Sequence, residues 1–260
     1  VGDSYTWGNG LETKDAFVSL YSCHKKDYSI KNLATSGVGI EFYKQVLKSY
    51  DLKNVKTIYL IFFENDYGAR IKKNSLYEKL KKSLRYKSFT YQLLRKIQLT
   101  ISHSTIDSCE KIKGYCNNLK HTFVHQPHAV RKYFEEEVLR SARLDKEMFQ
   151  IVNNIKKESR SNLITLVIPD ASVVSKRHAE LYTKLGSTYL PEFRKVSILA
   201  KKVKSLSQEL NFKYLPFYEH VINVYKENDN PDLYFQHDNH FNKKGNYALF
   251  QYIINNEESH

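Results

Sequence analysis

Val55-Lys56-Thr57-Ile58-Tyr59-Leu60-Ile61-Phe62-Phe63-Glu64-Asn65-Asp66 runs from an apolar, β-branched-rich stretch, continuous from Ile58 to Phe63, straight into three polar residues. A strand with one face in water would alternate, whereas this run is apolar on both faces, as a parallel sheet covered on both sides requires. Leu163 to Ile168 repeats the pattern, and Phe212 to Leu215 reads as a shorter strand. Apolar residues at helical spacing fall between these runs, over Glu41–Ser49, Leu144–Lys157 and Phe193–Leu210. Strands alternating with helices predict an α/β fold: a three-layer α/β/α sandwich around a flavodoxin-like, mostly parallel sheet of about five strands. Val1 reads as the stub of the first strand.

One stretch breaks this rhythm. Residues 67–141 are too long for a connection within an α/β unit and carry helical patterns of their own, such as Leu76, Leu80 and Leu84. The chain therefore reads as a single catalytic domain over residues 1–260 with a helical insertion, or cap, at 67–141. The formal charge of +13 concentrates in that insertion, where Arg70 to Lys96 holds ten basic residues against the single acid Glu78. A solvated helix face, an anionic polysaccharide or a membrane surface would each accommodate such a stretch, and nucleic acid is not expected. The chain's 260 residues, 41% of them hydrophobic, suffice for a real core. No apolar run approaches the roughly 20 residues that span a bilayer.

In open α/β sheets reactive groups gather beyond the carboxyl ends of the strands. Here those ends carry Gly2-Asp3-Ser4, the segment Asn32 to Gly39, Glu64-Asn65-Asp66, and Asp238-Asn239-His240. Attack on an ester needs a hydroxyl nucleophile, a base, an acid to orient the base, and donors for the developing oxyanion. Ser4 supplies the hydroxyl, and His240 and Asp238, two residues apart, supply base and acid. The amide of Gly37, in a glycine-bearing turn, and the side-chain amide of Asn65 are the further oxyanion donors, beside the amide of Ser4. Gly39 is an alternative to Gly37. Asp3 is expected to brace the turn and Asp66 to cap the segment after it. GDSYT lacks the second glycine of a G-x-S-x-G elbow, which argues against an ordinary α/β-hydrolase.

Four blocks in this order, GDSYTWGNG at Gly2–Gly10, NLATSGVG at Asn32–Gly39, FFENDYG at Phe63–Gly68 and DNHFNKKGN at Asp238–Asn246, resemble those of the SGNH (GDSL-like) hydrolases. The resemblance implies Ser4 as nucleophile, Gly37 and Asn65 in the oxyanion hole, and Asp238 and His240 as the rest of the triad. It implies a carboxylester hydrolase that requires no metal or organic cofactor. One position departs from the common pattern. The acid ordinarily stands three residues before the histidine, where this chain has His237, whereas Asp238 stands two before. The shorter spacing resembles the branch of polysaccharide O-acetylating enzymes. It makes an acylated carbohydrate the expected substrate and an O-acyltransferase, or a glycan-binding module without activity, the alternatives.

A second cluster, Cys109, Cys116, His121, His125 and His128, includes one histidine pair at i, i+4, but no nearby carboxylate completes a metal site and Pro127 interrupts the helix. Surface histidines and buried thiols are the plainer reading. Three cysteines make no disulfide framework. Met148 is the sole methionine, so Val1 is not a translation start and an upstream segment is expected. A periplasmic or membrane-associated location in the cell envelope is favoured over a cytoplasmic one.

Overall fold

The computed structural model describes residues 1–64, 66, 137–184, 193–228, 231–236 and 238–257, the side chains at 137–143 and 184 apart. Asn65, His237, the basic stretch 70–96 and the cysteine–histidine cluster lie outside these residues.

Three parallel strands, β1 (Thr57–Phe63), β2 (Asn162–Ile168) and β3 (Lys213–Leu215), lie in the order β1-β2-β3. Thr57 pairs with Asn162 and Phe63 with Ile168, so β1 and β2 are in register over their whole length. Val1 extends the sheet on the other edge of β1: its nitrogen donates to the Tyr59 carbonyl at 2.8 Å, and its carbonyl accepts from Ile61 at 3.0 Å. That is one step of a parallel ladder. Thr35 donates to the Gly2 carbonyl at 3.3 Å beyond it. Of the expected sheet of about five strands, the described residues contain three regular ones, with Val1 and Thr35 each making strand-like bonds along the β1 side.

Side chains of β1 alternate between two helical layers. Tyr59 meets Tyr21 of α2 (Phe17–His24), while Phe62, of opposite parity, meets Tyr43 of α3 (Ile40–Ser49). Helix α3 packs on α4 (Glu137–Glu158), which packs on α7 (Ile198–Leu210); these form one layer. The other contains α2, α8 (Phe217–Glu227) and α9 (Lys243–Glu257), joined by Phe217 against Tyr252 and by the Tyr21 hydroxyl donating to Glu257. Two short helices, α5 (Ala171–Val174) and α6 (Lys176–Lys184), follow β2 directly, and α1 (Ser4–Trp7) follows Val1. Leu60, Phe62, Leu166, Val167 and Ile168 are fully buried, as strands covered on both faces must be.

Two helix boundaries differ from the sequence expectation. The helix expected from Phe193 begins at Ile198, because Ser197 accepts from the Ala200 amide and caps it there. Helix α4 is already helical at Glu137, where the described residues resume, so the boundary drawn at 141 for the insertion falls inside a helix. Among the described residues no helix is long and apolar enough to cross a membrane.

Candidate active site

The carboxyl end of Val1 turns immediately into α1. Gly2 makes the turn possible: a Cβ there would lie 2.1 Å from Thr6 Oγ1 and 3.0 Å from the Ile61 carbonyl oxygen. Asp3 caps the helix, its Oδ1 accepting from the Tyr5 amide at 3.0 Å and its Oδ2 from the Ser4 hydroxyl at 3.2 Å. Ser4 is consequently the first residue of a helix held against the sheet, with its hydroxyl turned inward.

Asp238 and His240 sit at the tip of a small antiparallel hairpin. Phe235 donates to the His240 carbonyl at 3.0 Å, Tyr234 bridges Phe241, and Asn242 donates to Leu233 at 3.0 Å. Asp238 Oδ1 accepts both the His240 amide at 2.9 Å and its ring Nδ1 at 2.6 Å, which fixes backbone and imidazole together. The ring nitrogen Nε2 lies 2.8 Å from Ser4 Oγ. With Nδ1–H given to the carboxylate, the neutral ring offers the Nε2 lone pair to the hydroxyl. Asp238, His240 and Ser4 are thus one hydrogen-bonded chain, all three buried, at 8%, 6% and 9% exposure. Tyr5 stacks on Phe63 and lies tilted over His240, with ring centroids 4.8 Å apart in the latter pair.

The block from Asn32 to Gly39 approaches the same helix. Asn32 Nδ2 donates to the Thr6 carbonyl at 3.1 Å, while its Oδ1 accepts from Ala34. Gly37 has a φ of 74°, and among the described residues nothing lies within 4 Å of where a Cβ would stand, which leaves room for a ligand to approach its backbone. Gly39 is the residue before α3. Asp66 reaches back to the strand before it: its Oδ2 accepts from the Phe63 amide at 2.7 Å and closes the end of β1, while the segment it was expected to cap lies outside the described residues. Burial raises its carboxyl well above the ordinary value, and the neighbouring Asp3 charge adds to this.

Sequence reasoning passed over Asp170, Asn239 and His178. Asp170 follows β2 directly, so the strand-end rule that led to the other blocks applies to it as well. Its Oδ2 accepts from Asn239 Nδ2 at 3.2 Å. The His178 ring bonds Ser175 Oγ at 2.9 Å and the Phe235 carbonyl at 2.8 Å, tying α6 to the hairpin. A carbonyl only accepts, so Nε2 carries the proton, and burial keeps the ring's pKa below its usual value. Among the described residues no group of three or more His, Cys, Asp or Glu side chains is arranged to hold a metal ion.

No protein-family model and no curated protein matches the chain. Solved structures do. Phospholipase A1 from Streptomyces albidoflavus NA297 aligns over 98% of this chain and 96% of its own, with a TM-score of 0.52 and 11% identity. The chain carries the SGNH hydrolase fold. A member of the lipolytic protein G-D-S-L family from Veillonella parvula DSM 2008 aligns over 98% and 93%, with a TM-score of 0.48 and 10% identity. At such identity the likeness is one of architecture.

Proposed function

We propose that this protein is a serine carboxylester hydrolase that works through an acyl-enzyme on Ser4. The observation that carries the reading is the unbroken chain from Asp238 through His240 to the Ser4 hydroxyl, buried at the end of a parallel sheet. In the reaction, Ser4 Oγ attacks the ester carbonyl as His240 Nε2 takes its proton, and Asp238 stabilises the imidazolium that forms. The tetrahedral oxyanion is met by the amides of Ser4 and Gly37 and by the side chain of Asn65. His240 returns its proton to the leaving alkoxide, and the acyl group passes from Ser4 to an acceptor hydroxyl. If water is the acceptor, the product is a carboxylic acid.

The substrate we infer is an O-acyl ester of carbohydrate, with acetyl as the acyl group. The support is the Asp238-Asn239-His240 spacing, which resembles that of polysaccharide O-acetylating enzymes. The same spacing favours one second reading, in which a sugar hydroxyl replaces water and the protein is an O-acyltransferase. An anionic polysaccharide or a membrane surface fits the basic stretch 70–96 on charge.

The test is turnover of p-nitrophenyl acetate by the wild-type chain and its loss in Ser4→Ala. Ser4 should also take a fluorophosphonate probe. Undiminished turnover in Ser4→Ala would remove Ser4 from the mechanism, and a folded wild type that neither turns over esters nor labels would leave a glycan-binding module. Asn65→Ala should lower kcat by about 10²–10³ while leaving the fold intact; a loss below about threefold excludes Asn65 from the oxyanion hole. Acetylated oligosaccharide formed when donor and acceptor are both present distinguishes transfer from hydrolysis.

A further inference from the structure

We propose that Asp170, at the carboxyl end of β2, is a positioning residue for His240 and acts through Asn239. The inference rests on the reading of Ser4, His240 and Asp238 as a triad, and it concerns how that triad is held.

Asn239 lies between the acid and the base and is gripped at both ends. Its side-chain Nδ2 donates to Asp170 Oδ2 at 3.2 Å, and its carbonyl accepts from the Tyr5 hydroxyl. Tyr5 belongs to α1, the helix that begins with Ser4, and its ring lies over His240. Asn239 is therefore referenced to the central strand through Asp170 and to the nucleophile's helix through Tyr5. His240 follows it directly, and both the amide and the ring of His240 are bound to Asp238 Oδ1. A rotation of the peptide at 239 moves the ring away from Ser4.

Asp170 is built for this. Its Oδ1 is occupied by the Ser172 amide at 2.8 Å and the Ser172 hydroxyl at 2.6 Å, which leaves Oδ2 to face Asn239. A carboxylate is the side chain that accepts three donors with none of its own to place. Asp170 is 3% exposed and Asn239 1%, so the contact lies away from water, where a charge-assisted bond is strong and an orphaned amide is costly. Two further ties from the same region, Tyr234 hydroxyl to the Pro169 carbonyl at 2.9 Å and His178 to Phe235, hold the base of the hairpin. The Asp170–Asn239 contact reaches its tip.

The experiment compares Asp170→Ala, Asn239→Ala, their double variant and Ser172→Ala. Ser172→Ala loses the hydroxyl bond to Asp170 Oδ1 but keeps both the amide bond that caps α5 and the reach to Asn239, so it reports on that hydroxyl alone. Two readouts are taken: kcat and KM on p-nitrophenyl acetate, and the downfield proton resonance of His240 Nδ1–H. Asp170→Ala and Asn239→Ala should each lower kcat about 10- to 100-fold with KM changed less than about twofold, as removal of an orienting partner does. The double variant should be no worse than Asp170→Ala, because the contact that Asn239→Ala removes is already lost there. The resonance should weaken or move in all three and persist in Ser172→Ala.

Equal losses in Asp170→Ala and Ser172→Ala, or losses that multiply in the double variant, overturn the inference. Should Asp170→Ala not fold, Asn239→Ala decides, since it leaves the α5 cap intact: kcat within about threefold of wild type overturns the proposal. A wild type without turnover whose His240 resonance still responds to Asn239→Ala refutes the esterase reading and upholds the positioning role.

Discussion

The Ser4 hydroxyl has one proton and two acceptors within reach, His240 Nε2 at 2.8 Å and Asp3 Oδ2 at 3.2 Å. Asp3 is 3% exposed, and burial raises its carboxyl from 3.8 to about 6 against the opposing pull of the Tyr5 amide and the attraction of His240. A carboxyl whose folded pKa is raised favours the folded state while protonated. That contribution is complete below the unfolded value of 3.8 and is lost as pH rises through about 6. Asp3→Asn keeps an oxygen for the Tyr5 amide and removes the titration. Its thermal midpoint relative to wild type should therefore rise between about pH 4 and about pH 6.5, and a constant difference would show that Asp3 does not titrate there.

At the scale of elements, the hairpin from Leu233 to Asn242 and helix α9 must fit closely for His240 to face Ser4. Gly245 marks how closely: a Cβ there would lie 2.2 Å from the Leu233 carbonyl oxygen and 2.7 Å from the Phe241 ring. Asn242 adds to the junction, accepting from the Gly245 amide at 3.1 Å and donating to the carbonyls of Asp232 and Tyr234. Gly245→Ala should destabilise the protein by about 1–3 kcal/mol in denaturant unfolding and lower kcat as well. A loss under about 0.5 kcal/mol would mean that helix and hairpin separate without strain. Element types were easier to read than element ends. The apolar runs of β1 and β2 could only be strands, whereas the start of α7 depended on Ser197, a cap whose effect is local and small beside the periodicity around it. Helix α8 was not anticipated, though Phe217, Tyr218, Val221, Ile222 and Tyr225 recur on one buried stripe.

For the molecule as a whole, charge sets the long-range behaviour. A formal charge of +13, with ten of the basic residues packed into 70–96, favours anionic surfaces. Binding to an acidic polysaccharide such as alginate should weaken about tenfold or more as salt rises from about 0.05 to about 0.5 M, because screening shortens the reach of exposed charges below about 10 Å. Replacing the lysines of 70–96 with glutamine should remove most of that dependence. Binding by calorimetry that ignores salt would point to neutral contacts instead.

By itself the sequence determined the parallel character of the sheet and named Ser4, Asp238 and His240 as candidates for acid–base chemistry, though not Asp170 at the end of β2. Unbroken apolar runs have one stable placement, and Ser4, Asp238 and His240 are residue types whose pairing follows from acid–base chemistry. What only the tertiary structure decided is how residues 236 positions apart come within 2.8 Å. That depends on Gly2 having no side chain against Ile61, on the hairpin closing through Phe235 and Asn242, and on Asp170 meeting Asn239. None of these has a periodicity or a spacing to announce it. Gly2 against Ile61 and Asp170 against Asn239 are contacts between segments distant in the chain, and the hairpin closes through local backbone bonds whose register follows from its packing.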